Sequence, residues 1–184
     1  MNFLFNKYSH FNLANIVTFF NIASGIFAIY FLTHNQFFAA ALFAWLAGAF
    51  DIFDGKIARK YNLSTEFGIQ LDSYADFLSF VIVPAMFIYF AIFDGKEEFF
   101  NMALVAAAFI YYIISGLRRL IQFNLNAEEG EVEKYFTGVP TPLGAILLWV
   151  VYLVYLTGFV HEYFVLGMMV IIGFLLNSKV KIKH

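Results

Sequence analysis

The sequence has 184 residues, of which 62% are hydrophobic and only 13% are charged. A typical soluble domain carries about 25% charged residues, so the composition indicates an integral membrane protein. The net charge of -2 provides no basic field for nucleic acid, and the absence of cysteine excludes disulfides and thiolate metal sites. We expect a single transmembrane domain over residues 1–184, with a juxtamembrane arm at 1–13 and a basic cytoplasmic tail at 177–184.

Six apolar stretches predict an all-α bundle of six transmembrane helices. They cover residues 15–32, 37–50, 77–93, 99–121, 143–156 and 163–176. A spanning helix needs about 20 mostly apolar residues, so the polar flanks of the shorter stretches must complete their helices. The second helix is expected to continue to Arg59, because residues 39–59 contain no proline. The third should begin near Ser64 or Thr65, since both residue types suit a helix N-cap.

The ends and connections of the chain predict its topology. Phe3, Leu4, Tyr8 and Phe11 indicate an N-terminal amphipathic helix lying on the membrane surface. All lysines and arginines except Lys96 lie in the N-terminal arm, the second and fourth connections or the C-terminal tail. Because basic residues accumulate in cytoplasmic segments, we expect a multi-pass protein of the cell (inner) membrane with both termini in the cytoplasm.

Four aspartates lie between the second and third apolar stretches, in the segment DIFDGKIARKYNLSTEFGIQLDSYAD. At 100° per residue, Asp51 and Asp54 share one helix face with three further positions, Gly55, Ala58 and Arg59. Gly68, Asp72 and Asp76 form a second stripe at i, i+4 and i+8. Two helices joined by a short turn are antiparallel neighbours. The four carboxylates are therefore expected to meet near the cytoplasmic membrane surface.

Carboxylates at such close range need a cation, because they repel one another and are costly to bury unpaired. Oxygen ligands favour Mg²⁺ or Mn²⁺, with Ca²⁺ a possible substitute. Two metal ions about 4 Å apart are a recurrent arrangement for displacement at phosphorus. Glycine and alanine on the same faces leave room for a substrate, and Arg59 suits a phosphate. Single aspartates are often capping groups, but four with this spacing indicate a pyrophosphate site.

The pattern D-x2-D-G-x2-A-R-x8-G-x3-D-x3-D resembles the signature of the CDP-alcohol phosphotransferases. These are six-helix membrane enzymes, typically homodimers, that displace CMP from a CDP-linked lipid or alcohol with a second alcohol. The resemblance makes Asp51, Asp54 and Asp72 metal ligands, with two ions expected. It places Asp76 near the metals and makes it the general base.

The resemblance also implies where the CDP-lipid binds. Four signature positions, Gly55, Ala58, Arg59 and Gly68, would line the cytidine and pyrophosphate site. In the first helix, Asn15, Thr18, Asn21 and Gly25 resemble the family's N-x2-T-x2-N-x3-G segment near the nucleotide. Ala14 stands where a proline usually precedes that asparagine, which predicts a looser helix start.

Three further stretches resemble the serine-using members of the family. They are residues 72–85, FTGVPTP at 136–142 and RRLIQFN at 118–124, in which Gln122 replaces the second arginine of the family pattern. The resemblance implies transfer of the phosphatidyl group from CDP-diacylglycerol to L-serine. Arginine suits the serine carboxylate, so Arg118 and Arg119 are candidate serine-binding residues, together with Gln122 and Asn124. All four also fit a simpler role at the cytoplasmic end of a helix.

The sequence leaves three alternatives open. Within the same chemistry, the acceptor is glycerol 3-phosphate or an inositol phosphate, although these doubly anionic alcohols call for a denser basic cluster. Aspartate-rich intramembrane prenyltransferases also bind a diphosphate through magnesium, but their motifs are spaced differently. A non-enzymatic cation transporter or channel would use the acidic residues for conduction.

Overall fold

The computed structural model describes residues 3–95, 99–128, 135–178 and 181–183. These residues are almost entirely helical, which confirms the all-α fold class. The helices are α1 (Leu13–Thr33), α2 (Phe37–Tyr61), α3 (Glu66–Asp76), α4 (Val83–Ile88), α5 (Phe99–Glu128), α6 (Thr141–Leu156) and α7 (Glu162–Leu176), with π-helical segments at Phe77–Ile82 and Tyr89–Phe93. The chain forms two compact units, Met1–Ser79 and Phe80–His184. That they act as a single domain stays a prediction.

The helices identify a multi-pass membrane protein. Leu13–Thr33, Phe37–Tyr61, Glu66–Phe93 and Met102–Leu125 are long and apolar enough to cross a membrane, whereas Thr141–Leu156 and Glu162–Leu176 are apolar but shorter. Each of the six predicted stretches coincides with helical structure, and a sixfold crossing stays a prediction. Three of the basic residues used to predict the topology, Lys96, Lys134 and Lys179, lie outside the described residues.

The N-terminal unit is organised around α1, which packs against both α2 and α3. As predicted, α2 continues beyond the first two aspartates, and it ends at Tyr61. Asn62 follows in the left-handed conformation, with φ of 53°. Thr65 caps α3, where its hydroxyl accepts a hydrogen bond of 3.0 Å from the Gly68 N–H. This short capped turn brings the two aspartate-bearing helices together.

The N-terminal arm differs from the predicted surface helix. Among residues 3–12, the described helical structure is a single 3₁₀ turn at Phe3–Phe5. The Asn6 side chain accepts from the Tyr8 N–H at 3.1 Å, and the Ser9 hydroxyl accepts from the Phe11 N–H at 3.2 Å. Such local side-chain hydrogen bonds compete with helix formation, so the arm turns instead of winding into an amphipathic helix.

The start of α1 has a side-chain cap, although the sequence predicts a looser start because Ala14 replaces a proline. Asn12 caps the helix, because its side-chain oxygen accepts a hydrogen bond of 3.0 Å from the Asn15 N–H. The Asn12 amide group also donates to the Leu63 carbonyl at 3.4 Å. These two hydrogen bonds therefore fix the first turn of α1 without a proline.

In the C-terminal unit, α7 packs against α5 and α6. A short antiparallel pair joins β1 (Tyr135–Thr137) to β2 (Lys181–Lys183). Gly138 follows β1 with φ of +86°, and a Cβ at this position would lie 2.6 Å from the Leu176 carbonyl oxygen. The sequence predicted a basic tail at 177–184, whereas residues 181–183 form a strand. Three-residue strands carry too little alternation to be recognised from sequence.

Candidate active site

Three of the four predicted aspartates converge in the N-terminal unit. One carboxylate oxygen from each of Asp51, Asp72 and Asp76 lies within 4.8 Å of the others. Asp51 lies on α2, whereas Asp72 and Asp76 lie one turn apart on α3. Asp72 is exposed, and the other two are half-buried. The structure thus places three acidic groups from two helices around one small volume.

Asp54 is not part of that trio but lies one turn from Asp51 along α2. It is buried, with 4% of its surface exposed. Its carboxylate interacts with the Thr18 side chain and the Gly55 backbone N–H. Among the described residues, Asp54 Oδ2 and Asp76 Oδ1 are buried oxygens without a hydrogen-bond partner. Buried carboxylate oxygens are rarely left unpartnered, so a ligand is expected at both atoms.

The site fits a hard divalent cation. Its donors are carboxylate oxygens, which Mg²⁺, Mn²⁺ and Ca²⁺ prefer, and two of them lack a partner among the described residues. Asp51, Asp72 and Asp76 would hold one ion among them, and Asp54 could extend the same ligand set to a second. Ligand roles for all four aspartates stay a prediction.

A cavity of about 230 Å³ adjoins the carboxylates. All six residues predicted to bind the CDP-lipid line it: Asn15, Thr18, Gly55, Ala58, Arg59 and Gly68. Asp54 and Asp72 also belong to the lining, so the cavity and the acidic site share residues. One cavity therefore contains both Arg59, which suits a phosphate, and two of the carboxylates that suit a metal ion. That these residues bind a CDP-lipid stays a prediction.

Sequence reasoning missed part of the cavity wall. The additional lining residues are Ala14, Leu63, Ser64, Thr65 and Ile69. For Ser64 and Thr65 the sequence predicts only a role as helix caps. The turn between the two aspartate pairs is short, so its residues must lie close to the aspartates. This shortness is the signal that could have identified the turn residues as part of the wall.

The motif glycines allow close approaches inside the cavity. A Cβ on Gly68 would lie 2.9 Å from Asn15 Oδ1 and 3.2 Å from Thr65 Oγ1. Glycine therefore lets the Asn15 side chain approach the first turn of α3. A Cβ on Gly55 would lie 3.5 Å from a guanidinium nitrogen of Arg59, so the Arg59 side chain folds over Gly55 into the cavity wall.

A second polar contact lies beyond the carboxylates. The Ser79 hydroxyl donates a hydrogen bond of 2.6 Å to Asn21 Oδ1, and both side chains are buried. A Cβ on Gly25 would lie 3.1 Å from Leu78 and 3.2 Å from Ser79 Oγ. Asn21 and Gly25, which the sequence assigned near the nucleotide, therefore tie α1 to the segment directly after Asp76.

The four candidate serine-binding residues lie on α5 in the C-terminal unit. Arg119 is buried, with 8% of its surface exposed, and its guanidinium lies 5.7 Å from the ring centroid of Phe123. Arg118 and Gln122 are exposed, and Asn124 is half-buried. The structure thus distinguishes the two arginines by burial. Their role in serine binding stays a prediction.

Comparison with known proteins identifies the family. Residues 11–176 match the family described as CDP-alcohol phosphatidyltransferase. The chain belongs to the CDP-alcohol phosphatidyltransferase family. This match confirms the sequence resemblance and identifies the chain as a phosphatidyltransferase of phospholipid synthesis. It leaves no support for the prenyltransferase or transporter alternatives.

Relatives in this family come from distant organisms. The chain is 28% identical to the CDP-diacylglycerol--serine O-phosphatidyltransferase of Helicobacter pylori, over 91% of this chain and 70% of that protein. It is 30% identical to the Bacillus subtilis protein of the same name, over 72% of this chain and 71% of the relative. It is 31% identical to the archaetidylserine synthase of Methanothermobacter thermautotrophicus, over 92% of this chain and 68% of that protein.

Proposed function

We propose that this enzyme transfers the phosphatidyl group of CDP-diacylglycerol to the hydroxyl of L-serine and releases CMP. The observation that carries the proposal is that two of the four aspartates, Asp54 and Asp72, also line the cavity. Serine is favoured over other alcohols because the bacterial relatives are named for serine transfer. The archaeal relative is named for archaetidylserine.

The cavity is matched to the polar head of the donor. A volume of about 230 Å³ suits part of a nucleotide diphosphate but not two acyl chains. The chains would stay in the lipid while the head group enters from the cytoplasmic leaflet. Arg59 would pair with phosphate oxygens, while Asn15 and Thr18 offer hydrogen-bonding groups from α1 to the nucleoside. Gly55 and Gly68 keep the wall open for this head group.

Asp76 is the proposed general base. Its Oδ1 has no hydrogen-bond partner among the described residues, so it can accept the proton of the serine hydroxyl. The serine oxygen then forms a bond to the lipid-side phosphorus, and the bond from that phosphorus to the CMP oxygen breaks. Divalent ions, when bound, would neutralise the pyrophosphate and the charge that grows on CMP. The ions are proposed to be two Mg²⁺ or Mn²⁺ held by Asp51, Asp54, Asp72 and Asp76, with Ca²⁺ as a structural substitute.

Arg119 is the preferred partner of the serine carboxylate. Its planar guanidinium suits a carboxylate, and an ionisable group buried in a membrane helix points to function. Arg118, Gln122 and Asn124 complete the proposed serine-binding set on α5. Because Arg118 is exposed, we assign it the smaller contribution.

The proposed setting is the cell (inner) membrane. The distribution of basic residues supports a cytoplasmic location for both termini and the carboxylate site, where nucleotide and serine are available. The functional unit is proposed to be a homodimer, as is typical of the family that the sequence resembles.

The decisive experiment supplies purified protein with CDP-diacylglycerol and Mn²⁺ or Mg²⁺, and measures CMP release with different acceptors. We expect release with L-serine and little with glycerol 3-phosphate or an inositol phosphate. A parallel series with an ether-linked isoprenoid donor tests the archaetidylserine chemistry. Chelation by EDTA should abolish release, and added Mg²⁺ or Mn²⁺ should restore it. Preferential use of another acceptor, or full activity in EDTA, would contradict the proposal.

A further inference from the structure

The N-terminal arm makes several specific contacts with the cavity wall. The His10 ring stacks on the Phe67 ring with centroids 4.4 Å apart and an interplanar angle of 15°. Phe67 directly precedes Gly68, a residue of the wall. Phe5 packs edge-on against Tyr61, the last residue of α2, at 5.1 Å. The arm therefore contacts the last residue of α2 and the first turn of α3.

A backbone atom of the arm also sets the orientation of a cavity side chain. The Asn15 Nδ2 group donates a hydrogen bond of 3.0 Å to the His10 carbonyl. With its amino group directed at the arm, the Asn15 amide directs its oxygen toward Gly68, where a Cβ would lie only 2.9 Å away. Asn15 therefore presents a hydrogen-bond acceptor at the cavity wall, and such an acceptor matches an N–H or O–H group of a nucleoside.

The turn between α2 and α3 is held from the same side. The Asn12 amide group donates to the Leu63 carbonyl at 3.4 Å, and Leu63 lines the cavity. Leu63 is itself buried, with 2% of its surface exposed. Arm residues thus contact the cavity wall at the turn, at the start of α3 and at Asn15. An arm that only lay on a membrane surface would need none of these contacts.

We propose that the N-terminal arm is a bracing element of the nucleotide cavity and that His10 is a positioning residue for nucleotide binding. The His10–Phe67 stack holds the His10 carbonyl in place, and that carbonyl fixes the Asn15 amide with its oxygen toward the ligand. The inference rests on the proposed function in that the ligand is a cytidine nucleotide. It goes further by assigning nucleotide affinity to a segment that does not line the cavity.

The test compares His10→Ala, His10→Phe, Phe67→Ala and the double variant His10→Ala/Phe67→Ala in the full-length protein. Tyr8→Ala is the matched control, because Tyr8 is an aromatic arm residue that is 91% exposed. The Kd for CDP is measured by calorimetry with Mg²⁺ present, and KM values for CDP-diacylglycerol and L-serine are measured from CMP release. Thermal unfolding confirms that each variant is folded.

We expect His10→Ala and Phe67→Ala each to raise the Kd for CDP about three- to tenfold, as the loss of one aromatic pair predicts. The double variant should be no weaker than either single variant, because both remove the same contact. His10→Phe keeps a stacking ring and should remain within about twofold of the parent, as should Tyr8→Ala. The KM for L-serine should not change.

Three results would overturn the inference: equal behaviour of His10→Ala and Tyr8→Ala, additive effects in the double variant, or failure of His10→Phe to restore affinity. Failure of the proposed function gives a different result. In that case the parent binds CDP but releases no CMP with serine, and the Kd series still tests the arm. A parent that does not bind CDP overturns both proposals.

Discussion

The two compact units of the chain bury different chemistry. The N-terminal unit buries Asn12, Asn15, Thr18, Asn21, Ser24, Asp54 and Ser79. The largest fully buried side chains of the C-terminal unit are Tyr112, Ile88, Leu148, Met169, Leu176, Val81, Val83 and Val165. Burying a polar group away from water costs free energy, so the concentration of such groups in one unit requires a structural or functional explanation. Packing is sufficient to explain most of the C-terminal unit, whereas three of the buried polar residues of the N-terminal unit, Asn15, Thr18 and Asp54, line the cavity.

The buried polar residues described in the C-terminal unit are Ser115, Arg119 and Thr141. Thr141 is the first residue of α6, where backbone N–H groups are unpaired. Ser115 belongs to a helix contact, since its carbonyl accepts a hydrogen bond of 3.0 Å from the Asn177 side chain. Arg119 is different because it is charged. It is therefore the residue of this unit to test for a role in substrate binding.

The largest effect is expected from Asp76→Asn, which removes the proposed base and one metal ligand but keeps the side-chain shape. We expect kcat for CMP release to fall at least about 100-fold, the usual contribution of a general base. Much of the CDP binding should persist, because Asp76 is not among the cavity-lining residues and three of the four proposed metal ligands remain. Stopped CMP release together with retained CDP binding, measured by calorimetry, would support the assignment.

The matched control for Asp76→Asn is Asp94→Asn, which removes an exposed carboxylate that does not belong to the acidic trio. This control should retain parental activity. Parental turnover in Asp76→Asn would show that the acidic trio is not the centre of the reaction. The buried polar groups of the N-terminal unit would then need another explanation than catalysis.

The next largest effect is expected from Arg119→Ala, which tests whether the buried charge of the C-terminal unit binds substrate. A hydrogen bond to a charged group is worth about 1.5–3 kcal/mol, so the KM for L-serine should rise by at least about tenfold. The KM for CDP-diacylglycerol should change little. Arg118→Ala on the same helix is the control and should have a smaller effect, because Arg118 is exposed. Equal effects of both substitutions would indicate a general electrostatic role.

The sequence was sufficient to predict the features that depend on periodicity and spacing. The helix through Asp51 and Asp54 followed from the absence of proline, and the convergence with Asp72 and Asp76 followed from the short turn at Thr65. Membrane-length apolar runs identified the fold class for the same reason. These features depend on residues close together in the chain, whose geometry is nearly fixed once the helices are known.

Long-range contacts could not be predicted from the sequence. The Asn21–Ser79 hydrogen bond joins residues 58 positions apart, and neither side chain carries a local pattern that identifies its partner. The pairing of Phe136 with Ile182 has the same character. Polar side chains also overrode amphipathicity in the arm, where the Asn6 and Ser9 side chains accept hydrogen bonds from the backbone N–H groups two residues further along the chain. In these places tertiary context or side-chain competition decided the structure.

A smaller effect is expected from Gly68→Ala, which tests how closely the cavity wall is fitted. The new Cβ would lie 2.9 Å from Asn15 Oδ1, so the Asn15 side chain must move away from the first turn of α3. Overpacking typically costs about 1–3 kcal/mol, and we expect the KM for CDP-diacylglycerol to rise about tenfold with a smaller change in kcat. The control is Gly167→Ala on α7, where a Cβ would have no neighbour within 4 Å. An unchanged KM in Gly68→Ala would mean that the nucleotide does not use this wall.

The smallest effect is expected from Ser79→Ala, which separates the support of the site from its chemistry. The substitution removes the donor to Asn21 Oδ1, and Asn21 Nδ2 already has no hydrogen-bond partner among the described residues. An unsatisfied buried group costs about 1–3 kcal/mol, which lowers the midpoint of thermal unfolding by about 2–12 °C in a chain of this size. Thr33→Ala is the control, because the exposed Thr33 hydroxyl bonds only within its own helix end. Since Ser79 does not line the cavity, the KM for CDP-diacylglycerol should stay within about twofold of the parent. A large rise in that KM without a change in unfolding midpoint would instead place Asn21 and Ser79 at the substrate.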